Sequence, residues 1–119
     1  MADAGWPVWT TDDFDAWFDE LAGIQQMRVL VAVGLVREVG PSLGRPHVDT
    51  VNGSVFPNMK ELRVQVRGAP LRIFFAFDPE RTAVILLGGD KTNDRRFYDR
   101  MIRRADALYA HHLETLEND

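Results

Sequence analysis

The chain switches between two hydrophobic periods. Phe14, Trp17, Phe18 and Leu21 recur at i, i+3, i+4 and i+7, the spacing of one helical face. Thr11 ahead of Asp12 and Asp13 offers an N-cap and a negatively charged first turn, which predicts a helix ending near Gly23. A second helix is predicted over residues 24–39, with Met27, Leu30, Val31 and Leu35 as its inner stripe and Gly40-Pro41 as its stop. The two make a helical hairpin. Ahead of it, residues 6–10 read as a short strand that Pro7 restricts to an edge or a strand start.

The period then changes to two. Residues 59–67, 71–78 and 82–88 are β-rich segments separated by Gly68-Ala69-Pro70 and by Pro79-Glu80-Arg81, the spacing of an antiparallel meander. Between the helical hairpin and this meander, residues 41–57 are rich in Pro and Gly with little periodicity and are predicted to form a loop over the sheet. Loops of that length are often functional. After Gly88-Gly89 the helical period returns over residues 92–116, with Phe97, Met101, Ala105, Leu108 and Leu113 along one side. The expected architecture is α+β, in the order β-α-α-β-β-β-α, forming a single domain over residues 1–119 with no repeat or linker.

Composition narrows the class. A chain of 119 residues with 45% hydrophobic content is long enough for one continuous core. The absence of Cys excludes a disulfide scaffold, a thiolate metal site and a Cys nucleophile, and suits a reducing compartment. The longest apolar runs, IFFAF and AVILL, are too short to span a bilayer, and the acidic N-terminus carries no signal-peptide core. A soluble cytoplasmic protein without a membrane partner is expected.

Charge is unevenly distributed. Residues 60–104 hold 11 Lys/Arg against 6 Asp/Glu, residues 1–59 hold 3 against 8, and residues 105–119 hold 0 against 4, which sums to the net −4. An acidic chain with a basic segment presents one face to a polyanion. Because side chains alternate across a strand, Met59, Glu61, Arg63 and Gln65 share one face, and Arg72, Phe74 and Ala76 project from the next segment opposite to Leu71, Ile73, Phe75 and Phe77. Lys91 follows two glycines that allow a bend or a close approach to a ligand, and Tyr98 lies two helical turns on.

This set suits cleavage of a ribonucleotide chain without a metal, since RNA carries its own nucleophile in the 2′-hydroxyl. Glu61 is the candidate base, Arg63 and Arg72 the bidentate phosphate ligands, Lys91 a point charge, and Tyr98 a stacking surface or proton donor. Lys60, Arg95 and Arg96 are candidate RNA contacts, and the series continues through Arg100, Arg103 and Arg104. The competing reading is an open sheet face solvated by arginines, with Glu61 and Arg63 a surface ion pair and the helical arginines a solvated face. His111 and His112 are adjacent on a helix and point apart, so they read as solvated residues and no metal or cofactor site is expected. Gly88-Gly89 lacks the lysine and serine pattern of a P-loop.

The element order, together with Trp17-x-x-x-Leu21, Gly40-Pro41-x-Leu43-Gly44-Arg45-Pro46, the run from Asn58 through Met59, Lys60, Glu61 and Leu62 to Arg63, Leu71-Arg72-Ile73 and Gly89-Asp90-Lys91, resembles the HigB branch of the RelE/ParE toxin superfamily. The resemblance runs from about Trp6 to the last helix. It implies a type II toxin–antitoxin toxin that cleaves mRNA in the ribosomal A site, with the ribosome and mRNA as targets and a helix-turn-helix antitoxin as partner. It also implies a cleavage site on the concave sheet face, onto which Arg63, Arg72, Lys91 and Tyr98 map, with Glu61 at a position that is often basic in RelE-like members. Unlike several HigB-like enzymes, this chain has no His between His47 and His111. The alternatives are a ParE-like gyrase inhibitor and a non-catalytic binding module or inactive toxin.

Overall fold

A computed structural model describes residues 5–118. The chain forms β1 (Val8–Thr10), α1 (Asp12–Asp19), α2 (Gly23–Val39), a 3₁₀ turn (Gly40–Ser42), β2 (Val48–Thr50), β3 (Lys60–Val66), β4 (Ala69–Phe77), β5 (Ala83–Asp90) and α3 (Phe97–Glu117). One sheet runs in the order β1-β5-β4-β3-β2, with β1 parallel to β5 and every other neighbour antiparallel. The predicted α+β order is present with one additional strand, since residues 41–57 contribute β2 to the sheet edge. Asp49 of that strand stands opposite Glu61.

Local chemistry explains the boundaries. Thr11 caps α1 by accepting from the Phe14 amide at 3.0 Å, and its hydroxyl also donates to the Leu86 carbonyl at 2.6 Å, tying the helix start to β5. The meander's first turn is Arg67-Gly68, both with positive φ (48° and 83°), the backbone a two-residue hairpin needs. The last helix starts at Phe97, five residues later than the periodicity predicts. Asp94 holds the preceding turn through its side chain, on the Arg96 amide at 3.1 Å, and its carbonyl, on the Phe97 amide at 3.3 Å.

Both faces of the sheet are buried. Leu62, Val64, Leu71, Ile73 and Phe75 pack under α1 and α2 with Phe14, Val29 and Val36, and Met59, Phe74, Ala76, Val84 and Leu86 pack under α3 with Phe97, Met101, Ala105 and Tyr109. The predicted open sheet face is therefore closed along most of its length. The predicted inner stripe of α2 also differs: Met27, Leu30 and Val31 are 57–67% exposed, and Val29 and Val36 face the core. This helix is apolar on nearly every side, so its periodicity selects no face, and packing against the sheet decides.

Gly88 and Gly89 make room for the two helical layers. A Cβ on Gly88 would lie 2.3 Å from the Trp17 ring, and one on Gly89 would lie 2.8 Å from Met101 and 2.9 Å from Phe97. The glycines thus admit core side chains, where the sequence suggested a bend or a ligand. A Gly88→Ala substitution is expected to destabilise the fold by about 1–3 kcal/mol through overpacking against a rigid indole. Denaturant unfolding checks this, and an unchanged midpoint would mean that α1 shifts off β5 without cost.

Candidate functional site

The site lies where α3 leaves part of the sheet uncovered. Arg63 on β3 and Arg72 on β4 are directly opposed in the register, and Gly89 completes the row on β5. Two guanidinium groups so placed repel each other unless an anion intervenes. Glu61, two residues before Arg63 and on the same face, supplies it. Its Oε2 accepts from Arg63 Nη2 at 3.2 Å, and its Oε1 lies 3.6 Å from Arg72 Nε. The carboxylate is buried at 5% exposure, which strengthens both attractions.

Tyr98, on the first turn of α3, donates its hydroxyl to Glu61 Oε1 at 2.7 Å. Lys91, in the turn after β5, places its ammonium 5.5 Å from the centre of the Tyr98 ring. The five residues Glu61, Arg63, Arg72, Lys91 and Tyr98 are thus brought together. Lys60 belongs to the opposite parity of β3 and leaves on the other side of the sheet, while Arg95 and Arg96 are exposed in the turn that enters α3. Asp49, which sequence reasoning missed, accepts from Arg63 at 3.2 Å and Arg45 at 2.9 Å. The β-branched Val48 and Thr50 on either side of it are too short a pattern to signal a strand inside a stretch read as loop.

Two features give the cluster its chemistry. The buried Nε atoms of Arg63 and Arg72 make no hydrogen bond, and Arg72 Nε faces only Glu61 Oε1 at 3.6 Å, so both donors are left for an anion that displaces the carboxylate. Burial, and then the hydrogen bond to Glu61, push the Tyr98 phenol above its ordinary value of 10.0, against a smaller opposing effect of Arg72. The phenol is therefore held protonated. Asp49 is held below the usual carboxylate range, first by its hydrogen bond from Arg45.

The histidines sit elsewhere. His111 is exposed, whereas His112, expected to be solvated, is mostly buried and bonded through Nε2 to Asp78 Oδ2 at 2.8 Å, fastening α3 to the β4–β5 turn. Asp78 also accepts from the amides of Glu80 and Thr82 at 2.9 Å. Among the described residues no helix is long and apolar enough to cross a membrane.

Comparison with known proteins is consistent with this arrangement. Residues 16–110 match the family described as phage derived protein Gp49-like (DUF891). The chain is 50% identical over 93 residues to "Putative toxin HigB3" of Mycobacterium tuberculosis, covering 77% of this chain and 80% of that protein. It is 42% identical over 114 residues to "Putative toxin HigB2" of the same organism, covering 92% of this chain but only 57% of that relative's length. Among solved structures, the isolated Escherichia coli RelE toxin superposes with a TM-score of 0.60 at 11% identity, over 83% of this chain and 98% of RelE. The archaeal RelE-RelB complex from Pyrococcus horikoshii OT3 gives 0.55 at 11% identity, over 74% of this chain and 97% of the matched chain. At such identities the likeness is one of fold.

Because the folded state raises the Tyr98 pKa, its contribution to stability is complete below pH 10.0 and is lost as pH rises through the higher folded value. Ultraviolet titration of the wild-type chain minus Tyr98→Phe is expected to show a phenol midpoint above 10.0 that falls toward it in Glu61→Gln. A Tyr98 midpoint at the ordinary value would remove the hydrogen bond to Glu61 from the site.

Proposed function

Because the chain belongs to the Gp49-like family and is a HigB-like toxin of the RelE superfamily, we propose that it is a toxin–antitoxin toxin that acts as an mRNA endoribonuclease. The observation that carries this reading is the opposed Arg63 and Arg72 pair, each with a buried Nε that makes no hydrogen bond, beside a carboxylate and a protonated phenol.

A phosphodiester entering between Arg63, Arg72 and Lys91 competes with Glu61 for the guanidinium groups. The carboxylate released in this way takes the proton of the 2′-hydroxyl, and the 2′-oxygen attacks phosphorus. Charge growing on the non-bridging oxygens is met by fixed cations in a partly dehydrated site, the arrangement that contributes most to lowering such barriers. Tyr98 gives its proton to the departing 5′-oxygen. The P–O5′ bond breaks, leaving a 2′,3′-cyclic phosphate and a free 5′-hydroxyl. The proton on Glu61 then returns to Tyr98 along their hydrogen bond, which restores the resting cluster without a metal or cofactor.

The target is mRNA on the ribosome, so the outcome is arrested translation in the cytoplasm. The partner is a helix-turn-helix antitoxin. The presence of a RelE-RelB complex among proteins of the same fold supports a protein antitoxin.

The test is brief induction of the wild-type chain and of Arg72→Ala in a bacterial host, followed by sequencing of mRNA 5′ ends. New ends in phase with codons are expected for the wild type, and a loss on the order of 10²-fold or more for Arg72→Ala. A fully toxic Arg72→Ala variant would sink the assignment. Arrest without new RNA ends would point to gyrase inhibition, and no arrest to a binding module.

A further inference from the structure

The charge on α3 reaches well beyond the cleavage cluster, and two cavities trace where it leads. One, about 400 Å³, lies between the loop before β3 and α3, and its lining includes Asn52, Val55, Tyr98, Ile102 and Arg103. Tyr98 thus walls this groove while its hydroxyl bonds Glu61 at 2.7 Å, so groove and cluster adjoin at that side chain. Its far wall is pinned in place. Asp106 accepts from the Ser54 hydroxyl at 2.5 Å and the Val55 amide at 3.0 Å, and Phe56 packs edge-on against Tyr109 at 4.8 Å.

The second cavity, about 440 Å³, runs along the outer face of α3 between Arg96, Arg100, Arg103 and Arg104. It shares Arg103 and Asp99 with the first. Arg100 is committed to Asp94 and Arg104 to Asp13, each at 2.8 Å. Arg103 is exposed and carries no ion pair among the described residues, so its charge is available at the junction of the two cavities. It follows Tyr98 by five positions along the helix, a rise of about 7.5 Å. That reach suits a phosphate close along the chain from the scissile one.

Resting on the ribonuclease reading, we infer that substrate RNA leaves the cleavage cluster through the groove between residues 52–55 and α3, and that Arg103 binds a backbone phosphate where the chain turns onto the basic outer face. Arg103 is a positioning residue: it holds a flanking nucleotide and does not touch the reacting atoms. Val55 and Ile102 give an unpaired base an apolar surface, and Asn52 gives its edge a hydrogen-bonding side chain.

The test is fluorescence anisotropy with 2′-O-methyl RNA, which lacks the nucleophile and stays intact, using a trinucleotide and a dodecamer on wild type, Arg103→Ala and Arg103→Lys. The dodecamer is expected to bind the wild type more tightly than the trinucleotide. Arg103→Ala should weaken only the dodecamer, by about 5-fold or more, and lower its salt slope by about 0.7, with Arg103→Lys restoring most of both. Equal dodecamer affinity in wild type and Arg103→Ala overturns the path. So does a loss of equal size on both lengths. The mRNA 5′ ends of induced cells keep the two readings apart: wild-type cuts beside unaltered dodecamer binding by Arg103→Ala refute the path alone, whereas no cuts and no binding refute both.

Discussion

The buried carboxylate of Glu61 is the interaction on which the site depends. Register places Arg63 and Arg72 side by side, and the partial burial that makes them effective also removes the water that would screen them. A single anion between them, itself anchored by the Tyr98 hydroxyl, turns a repulsive pair into a fixed one. The same contact links three elements, since a guanidinium from β3, another from β4 and the phenol of α3 all end on it. Loss of one partner from such a buried network leaves an uncompensated charge, so the residues behave as a unit.

A second constraint comes from layering. A sheet covered on both faces has little space for charge, and polar chemistry is confined to where a covering layer stops. Here α3 starts late, after a turn held by Asp94, and the exposed end of the sheet carries the arginines. Gly88 and Gly89 let Trp17 and the first turns of α3 lie close on β5, which sets the height of Tyr98 above the strands. The His112–Asp78 pair fastens the other end of the same helix. Helix position and site geometry are therefore one problem, and the cation near Tyr98 arrives from the turn that joins them.

Much of the site was legible in the chain because a strand alternates strictly. Glu61 with Arg63, and Arg72 from the next strand, share a face by parity alone, and a tight hairpin at Arg67-Gly68 brings them level. Asp49 was not legible: three residues of edge strand in a Pro-rich stretch carry too little pattern to show, and the pairing that makes them a strand is with residues ten to fourteen positions away. Lys60 shows the reverse case, a cation next to the site in sequence but on the far side of β3 in space.

Sequence alone determined the classes of element apart from β2, the parity of the charged strand residues and the basic segment, since each depends on neighbours one to four positions apart. It also carried the family likeness. Tertiary structure alone decided which face of α2 is buried, that the second sheet face is a core, and that Glu61 lies between two arginines and a tyrosine. These depend on how elements distant in the chain pack, and an apolar helix or a β-rich strand is compatible with several packings until volume and charge select one.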